Sequence, residues 1–490
     1  MPALPAADAP SSSSSSQTPD RLPDRVWVPA LLAGLLALGF VGVLLVRAGG
    51  DPSLLVHAAG PCTTTSARPP SPNCDGDLPG HRALGGATGA PGSLTVQAAD
   101  QAFDGQFFYR LGVAPWSTGG RVAGVQFDLP SLRNARWGYG ALAYVASAGD
   151  PDLVPWTLVG LNLAAATAAG AIGGGLARSS GRHAAWGLLL VLWPGFAYSL
   201  SLDTSELVAS AFLLGGLLAI RHRRWAVAAI ALTAAVLTRD TTAVVPFGIA
   251  VAGTWTWWRL AHRPFDARPS HPARDAGHPL DPSAEDRADG RTDTMAATPS
   301  EGPAAGEAAA EKRAADPVGR QEGAAVLAVC ALALVAFAGW QLVQRARFGA
   351  LPLTSSGDNN LTAPLSGLAR ELGHDLPPGS GEEAFRLLCI LGLAALVATA
   401  GYCWRRTSVP ATERVAWLFA VAVAGLLNAY LWSGTTAFAR ATTEAGLLSI
   451  LVILGSSRST RDRERLMPLV ALGLGGFWLL TAGVQVAKLG

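Results

Sequence analysis

The residues of this 490-residue chain that could do chemistry fall in a few short stretches. In Asp100-Gln-Ala-Phe-Asp104-Gly105-Gln106-Phe107-Phe108-Tyr109-Arg110, two carboxylates four residues apart precede an aromatic run. On a helix that spacing puts both acids on one face. An ionised carboxylate there can take a proton from a hydroxyl or hold a divalent metal, because both tasks need negative charge at short range. A plainer reading stands beside it, with Asp104 as a turn or cap residue before Gly105 and Phe107 to Tyr109 as an interfacial belt.

A second acidic pair lies in Ser199-Leu-Ser-Leu-Asp203-Thr-Ser-Glu206. Asp203 reads as a helix N-cap with Glu206 at the third helical position, a capping-box pattern that does not exclude a site. Arg239 in Leu237-Thr-Arg239-Asp240 and Arg440 in Ala437-Phe-Ala-Arg440 fall at expected membrane edges. An arginine there either snorkels to water or clamps a phosphate.

The elements that must carry these groups follow from composition. Hydrophobic residues make up 50% of the chain, charged residues only 15%, and the mean hydropathy is +0.31. A soluble protein carries about a quarter charged residues. The expected class is therefore all-α, a polytopic transmembrane bundle of about eleven spans with a large extracytoplasmic first loop. The 37 basic and 35 acidic residues nearly balance and gather at helix ends, which leaves no stripe for nucleic acid.

Along the chain, residues 1–24 read as a disordered cytoplasmic tail rich in Ala, Pro and Ser, and 25–48 as a retained first span. Residues 49–152 form the outer loop, 153–261 spans two to six, and 262–322 a disordered cytoplasmic linker with almost no large apolar residue. Residues 323–490 hold spans seven to eleven, with an outer loop at 349–384. Basic clusters at Arg178 to His183, Arg221 to Arg224, Arg259 to Arg274, Arg405 to Arg414 and Arg458 to Arg465 occupy every second connection, which marks the inner side. Arg345 and Arg347 dissent. The stretch Trp137 to Ala148 is too short to span and reads as an interfacial or re-entrant element, since a crossing there would put every later basic cluster outside. Cys62 and Cys74 share the first loop and could pair if it is extracytoplasmic.

These motifs resemble the GT-C superfamily of membrane glycosyltransferases that use polyprenyl-phosphate sugars. Phe103-Asp104-Gly105-Gln106-Phe107-Phe108-Tyr109-Arg110 is similar to the D-G-Q-F-Y-Y pattern of bacterial mannosyltransferase-like members. The resemblance extends to Arg136-Trp-Gly-Tyr-Gly-Ala-Leu, Asp203-Thr-Ser-Glu206, Leu237-Thr-Arg239 and Asp358-Asn-Asn-Leu-Thr-Ala-Pro-Leu-Ser-Gly367. It implies Asp104 as the base, assisted by Asp203 and Glu206. Asp100, Gln106, Tyr109, Arg110, Arg136, Arg239 and Arg440 are then expected around the substrates, with Arg239 or Arg440 on the lipid phosphate. The implied partners are a polyprenyl-phosphate sugar and an extracytoplasmic glycan, lipid or protein acceptor at a bacterial plasma membrane. A divalent metal is compatible with the acids and not required by them. Gly138 and Gly140 depart from the family, where proline is more typical. The alternative is a transporter or lipid flippase, which calls for mid-span ionisable residues and two similar halves, neither evident in the sequence.

Overall fold

The computed structural model describes residues 24–58, 82–85, 90–95, 97, 102–119, 121–123, 125–261, 304–355, 361–456 and 460–488. Asp100, Cys62, Cys74, Asp358, the tail before residue 24 and the linker residues 262–303 lie outside them. The described chain is mostly helical, with strands only in two short hairpins.

Helix α1 (Trp27–Arg47) carries no charge until Arg47 in its last turn. A tight turn at Pro52–Val56 follows, where the Asp51 carboxylate accepts from Ser53 N at 2.9 Å and from Thr95 Oγ1 at 2.6 Å. Thr95 ends the hairpin of β1 (Arg82–Gly85) and β2 (Ala90–Thr95), so Asp51 ties that hairpin to the end of the first helix. Next come α2 (Gly105–Val113), the hairpin β3 (Arg121–Val122) and β4 (Val125–Gln126), α3 (Pro130–Ala135) and α4 (Trp137–Ser147). The stretch expected at the interface is thus a helix, packed against α2.

Helix α5 (Val154–Ser179) runs beside α1. Its glycines permit this, since a Cβ on Gly170 would stand 2.5 Å from the Pro29 carbonyl. Between helices in lipid, apolar burial gives little net drive, and close approach of small residues takes its place. A tight helical segment at Ala184–Leu190 and α6 (Gly195–Ser201) follow, bent by 71°. Helices α7 (Glu206–Arg221), α8 (Trp225–Thr238) and α9 (Val244–Ala261) complete this part.

The later part opens with α10 (Ala304–Phe348), followed by α11 (Pro352–Ser355), α12 (Ser366–Asp375) and α13 (Gly381–Cys403). The linker expected to run to Glu322 therefore enters a helix at Ala304. A capping box starts α13, in which Ser380 Oγ accepts from Glu383 N at 3.2 Å and Glu383 accepts from Ser380 N at 3.1 Å. Then come α14 (Ala411–Gly425), α15 (Ala429–Ser433), α16 (Thr435–Ala441), α17 (Thr443–Leu454) and α18 (Thr460–Lys488). Every residue of α17 is buried. Helices α16 and α17 meet at a 56° bend.

Among the described residues five helices are long and apolar enough to cross a membrane, at Trp27–Arg47, Val154–Ser179, Gln321–Phe348, Gly381–Cys403 and Leu466–Lys488, and the two bent pairs raise this to seven. The eleven expected spans are not reached on this measure. The runs at 205–220, 225–237 and 413–432 fold as α7, α8 and α14, of 16, 14 and 15 residues. A straight crossing takes about 20.

Several connections rich in arginine meet at one end of the bundle. Arg182 Nε donates to Leu454 O at 3.0 Å, on the closing turn of α17. Arg221 Nε reaches Glu413 Oε1 at 2.8 Å, joining α7 to α14. Thr407 bridges Ser456 there as well. The acid and arginine motifs lie at the opposite end of α17.

Candidate functional site

Asp104 stands immediately before α2, at a contact that only glycine permits at the next position. A Cβ on Gly105 would lie 2.5 Å from Leu202 O and 2.6 Å from Val56 O. The α2 start is therefore pressed between the Pro52–Val56 turn and the chain leading to Asp203. On the other flank, a Cβ on Gly138 would meet Thr238 Oγ1 at 2.5 Å, so α4 abuts the end of α8 next to Arg239. A Cβ on Gly140 would meet Leu111 Cβ at 2.2 Å. Gly138 and Gly140 thus set how closely α4 packs.

Three guanidiniums converge on Asp104. Arg133 Nη1 donates to Oδ1 at 2.8 Å, Arg440 Nη2 to Oδ2 at 2.8 Å, and Arg136 Nη1 to Oδ2 at 3.3 Å. Each arginine keeps a second acid. Arg133 holds Asp128 through Nε and Nη2, both at 2.8 Å, and Arg136 Nε reaches Asp240 Oδ1 at 3.3 Å. Arg440 Nε reaches Glu206 Oε1 at 2.7 Å. Glu206 Oε1 also lies 2.6 Å from Arg239 Nη1. Arg239 continues to Glu444, its Nε 3.4 Å from Oε1, while Thr241 takes a bond from Arg239 at 2.6 Å and gives one to Glu444 at 2.8 Å. The network draws on α3, α7, α16, α17 and the connections beside α2, α4 and α8. Its Asp104 and Arg136 side chains are 19% and 23% exposed, against 2% for Glu206, so a ligand would enter at that corner.

Burial opposes the charged form of Asp104, but Arg133, Arg440 and Arg136 outweigh it and hold the carboxyl well below the usual carboxylate range. Asp203 is the reverse. Burial pushes its carboxyl well above the ordinary range, and the Asn162 amide offsets this only in part. Among the described residues its two oxygens have no hydrogen-bond partner of normal geometry. The expected cap is also absent, since α7 begins at Glu206 after Ser205, with no side-chain cap bond. Asp203 instead takes a left-handed φ of 45° in the preceding turn.

The structure thus joins Asp104, Glu206, Arg136, Arg239 and Arg440 in one ion-pair network and leaves Asp203 outside its pairs. Arg110 is committed to contacts within the fold. Its guanidinium is buried, donates to Val125 O at 3.0 Å and to Gly119 O, and stacks 4.0 Å from the Phe127 ring, pinning the β3–β4 hairpin to α2. Burial pulls its pKa down to about 10. Gln106 and Tyr109 are buried within α2, which places them with the packing and not on the open corner.

Sequence reasoning passes over Arg133, Asp128 and Glu444. Arg133 and Arg136 are three apart, a spacing that shares a helical face, and Glu444 is an acid inside an apolar run, which by itself marks a functional candidate. A separate grouping of Glu371, His374 and Asp375 has metal-ligand proximity, but Arg386 fills it, with Nε 2.6 Å from Asp375 Oδ2 and Nη2 3.4 Å from Glu371 Oε1. No protein-family model matches the chain, and no curated protein sequence matches it. Any assignment of activity therefore rests on these residues and their geometry.

Proposed function

We propose that the chain is a membrane glycosyltransferase that moves a sugar from a polyprenyl-phosphate donor to an acceptor on the outer side of a bacterial plasma membrane. On this reading the bundle crosses about eleven times, with the short apolar helices counted as spans, and segment 49–152 faces outward. The observation that carries the proposal is the grip of three guanidiniums on the single carboxylate Asp104 at the open corner of the network.

Such a carboxylate is a masked base. While all three cations hold it, it is too weakly basic to accept a hydroxyl proton near neutral pH. A donor phosphate offers the same forked geometry with charge of its own, so it competes for Arg136 and Arg440. As they turn to phosphate, Asp104 regains basicity, and Arg133, anchored on Asp128, keeps it in place. The acceptor hydroxyl then gives its proton to Asp104 while its oxygen bonds to the anomeric carbon. The bond from that carbon to the phosphate oxygen breaks, its electron pair leaves with the lipid phosphate, and the arginines neutralise the charge released.

Asp104→Asn is the test. Each arginine retains a second carboxylate, so the fold should survive, whereas loss of a general base lowers transfer on the order of a hundred- to ten-thousandfold. The measurement is transfer from a radiolabelled polyprenyl-phosphate sugar by protein reconstituted in vesicles. Normal transfer by well-inserted Asp104→Asn protein would reject this role.

A further inference from the structure

A second group of arginines lies at the other end of the bundle. Past the end of α13 a cleft of about 560 Å³ opens between that helix and α14. Arg405 and Arg406 line it with the rings of Tyr402, Trp404 and Trp417 and the side chain of Leu418. We infer that this cleft binds the phosphate headgroup of an anionic phospholipid, with an acyl chain laid over Tyr402 and Leu418.

The charge arrangement supports this. Every arginine of the Asp104 network has a carboxylate, yet none of Arg405, Arg406 and Arg414 has one among the described residues. Arg406 leans on Tyr402, its Nη1 3.3 Å from the phenol oxygen and its guanidinium carbon 5.4 Å from the ring. Arg414 donates to Trp404 O at 3.2 Å, and its guanidinium carbon stands 5.5 Å from the Trp404 ring. Glu413, the adjacent carboxylate, is committed to Arg221. Guanidiniums without a counter-ion, held on aromatic faces, favour an incoming phosphate.

Position decides the source of that phosphate. The cleft lies at the end of a helix long and apolar enough to span, where tryptophan and tyrosine collect at the membrane surface. Tyr402 is 70% exposed and Leu418 47%, so one wall looks outward from the bundle. An apolar wall of this kind suits an acyl chain and gives nothing to a soluble ion. Basic pockets between membrane helices are established headgroup sites in general.

The full chain in phosphatidylcholine nanodiscs, titrated with phosphatidylglycerol and followed by native mass spectrometry and thermal melting, tests the inference. Phosphatidylglycerol should be retained and should raise Tm with concentration. Arg405→Gln combined with Arg406→Gln should weaken that binding about tenfold or more. Arg405→Gln alone removes an exposed side chain without a described partner, so it should fold normally and still lower affinity. Arg223→Gln, at the same end but outside the cleft and paired with Glu322 at 2.6 Å, should leave it unchanged. The inference is overturned if phosphatidylcholine binds equally, if Arg223→Gln weakens binding as much as the cleft variants, or if inorganic phosphate alone gives the same stabilisation.

Discussion

Asp104 and Asp203 are brought near each other by the contact of Gly105 with Leu202, yet their surroundings drive them in opposite directions. Asp104 is held ionised by three arginines. Its folded pKa lies below the unfolded value, so its stabilising share is present above about pH 4 and is lost as pH falls through the folded value. Asp203 is held neutral by burial, and its folded pKa lies above the unfolded one. Its share is therefore full below about pH 4 and is lost as pH rises toward the folded value. An amide does not titrate. Asp203→Asn should match the parent protein in melting temperature near pH 4 and pull ahead as pH rises to 8, with transfer activity retained. Parallel melting curves across that range would mean that Asp203 is ionised and partnered. Glu206 is a poorer probe, because its removal strips a carboxylate from both Arg239 and Arg440, and breaking such buried pairs costs about 3–5 kcal/mol. The sequence shows the candidate acids but not this division. Asp203-Thr-Ser-Glu206 has the letters of a capping box, and only the path of the chain reveals that the helix starts at Glu206.

Between helices, the site depends on two glycine contacts. Gly105 and Gly138 let backbones meet at distances a methyl group would violate, and each contact positions a segment carrying a network residue. Gly105→Ala and Gly138→Ala should each lower stability by about 1–3 kcal/mol through forced displacement. Gly42→Ala, in α1 with open space around its Cβ, should be neutral or slightly stabilising, by about 0.5–1 kcal/mol. Melting of the three variants in one detergent checks this, and equal Tm values would remove the packing argument. Long apolar runs make α1, α5, α13 and α18 plain in the sequence, because hydrocarbon imposes length and composition on a spanning helix. The bends at 184–201 and 435–454 are not plain, since apolar content continues through them while direction changes. Arg133 and Asp128 escape notice for a related reason. They lie on a short helix and its lead-in, and only tertiary packing delivers them to Asp104.

Across the whole molecule, α17 links two unlike ends. Glu444 at its start belongs to the ion-pair network, and Arg182 closes its other end near the arginines of α13 and α14. One end has its arginines saturated with carboxylates, and the other leaves three without described ones. The saturated end has a thermodynamic consequence for any ligand. Five carboxylates, Asp104, Asp128, Asp240, Glu206 and Glu444, face four guanidiniums, Arg133, Arg136, Arg239 and Arg440. With all of them ionised, the network is one negative charge in excess before a phosphate arrives. An anionic donor settling there must bring compensation with it, either a proton taken up by a displaced carboxylate or a cation. Calorimetric titration with a polyprenyl phosphate should therefore give heats that differ between buffers of unlike ionisation enthalpy, and affinity that rises as pH falls. Should Mg²⁺ abolish the buffer dependence while strengthening binding, the cation is the compensating charge. Heats independent of both buffer and Mg²⁺ would mean that the lipid phosphate binds elsewhere.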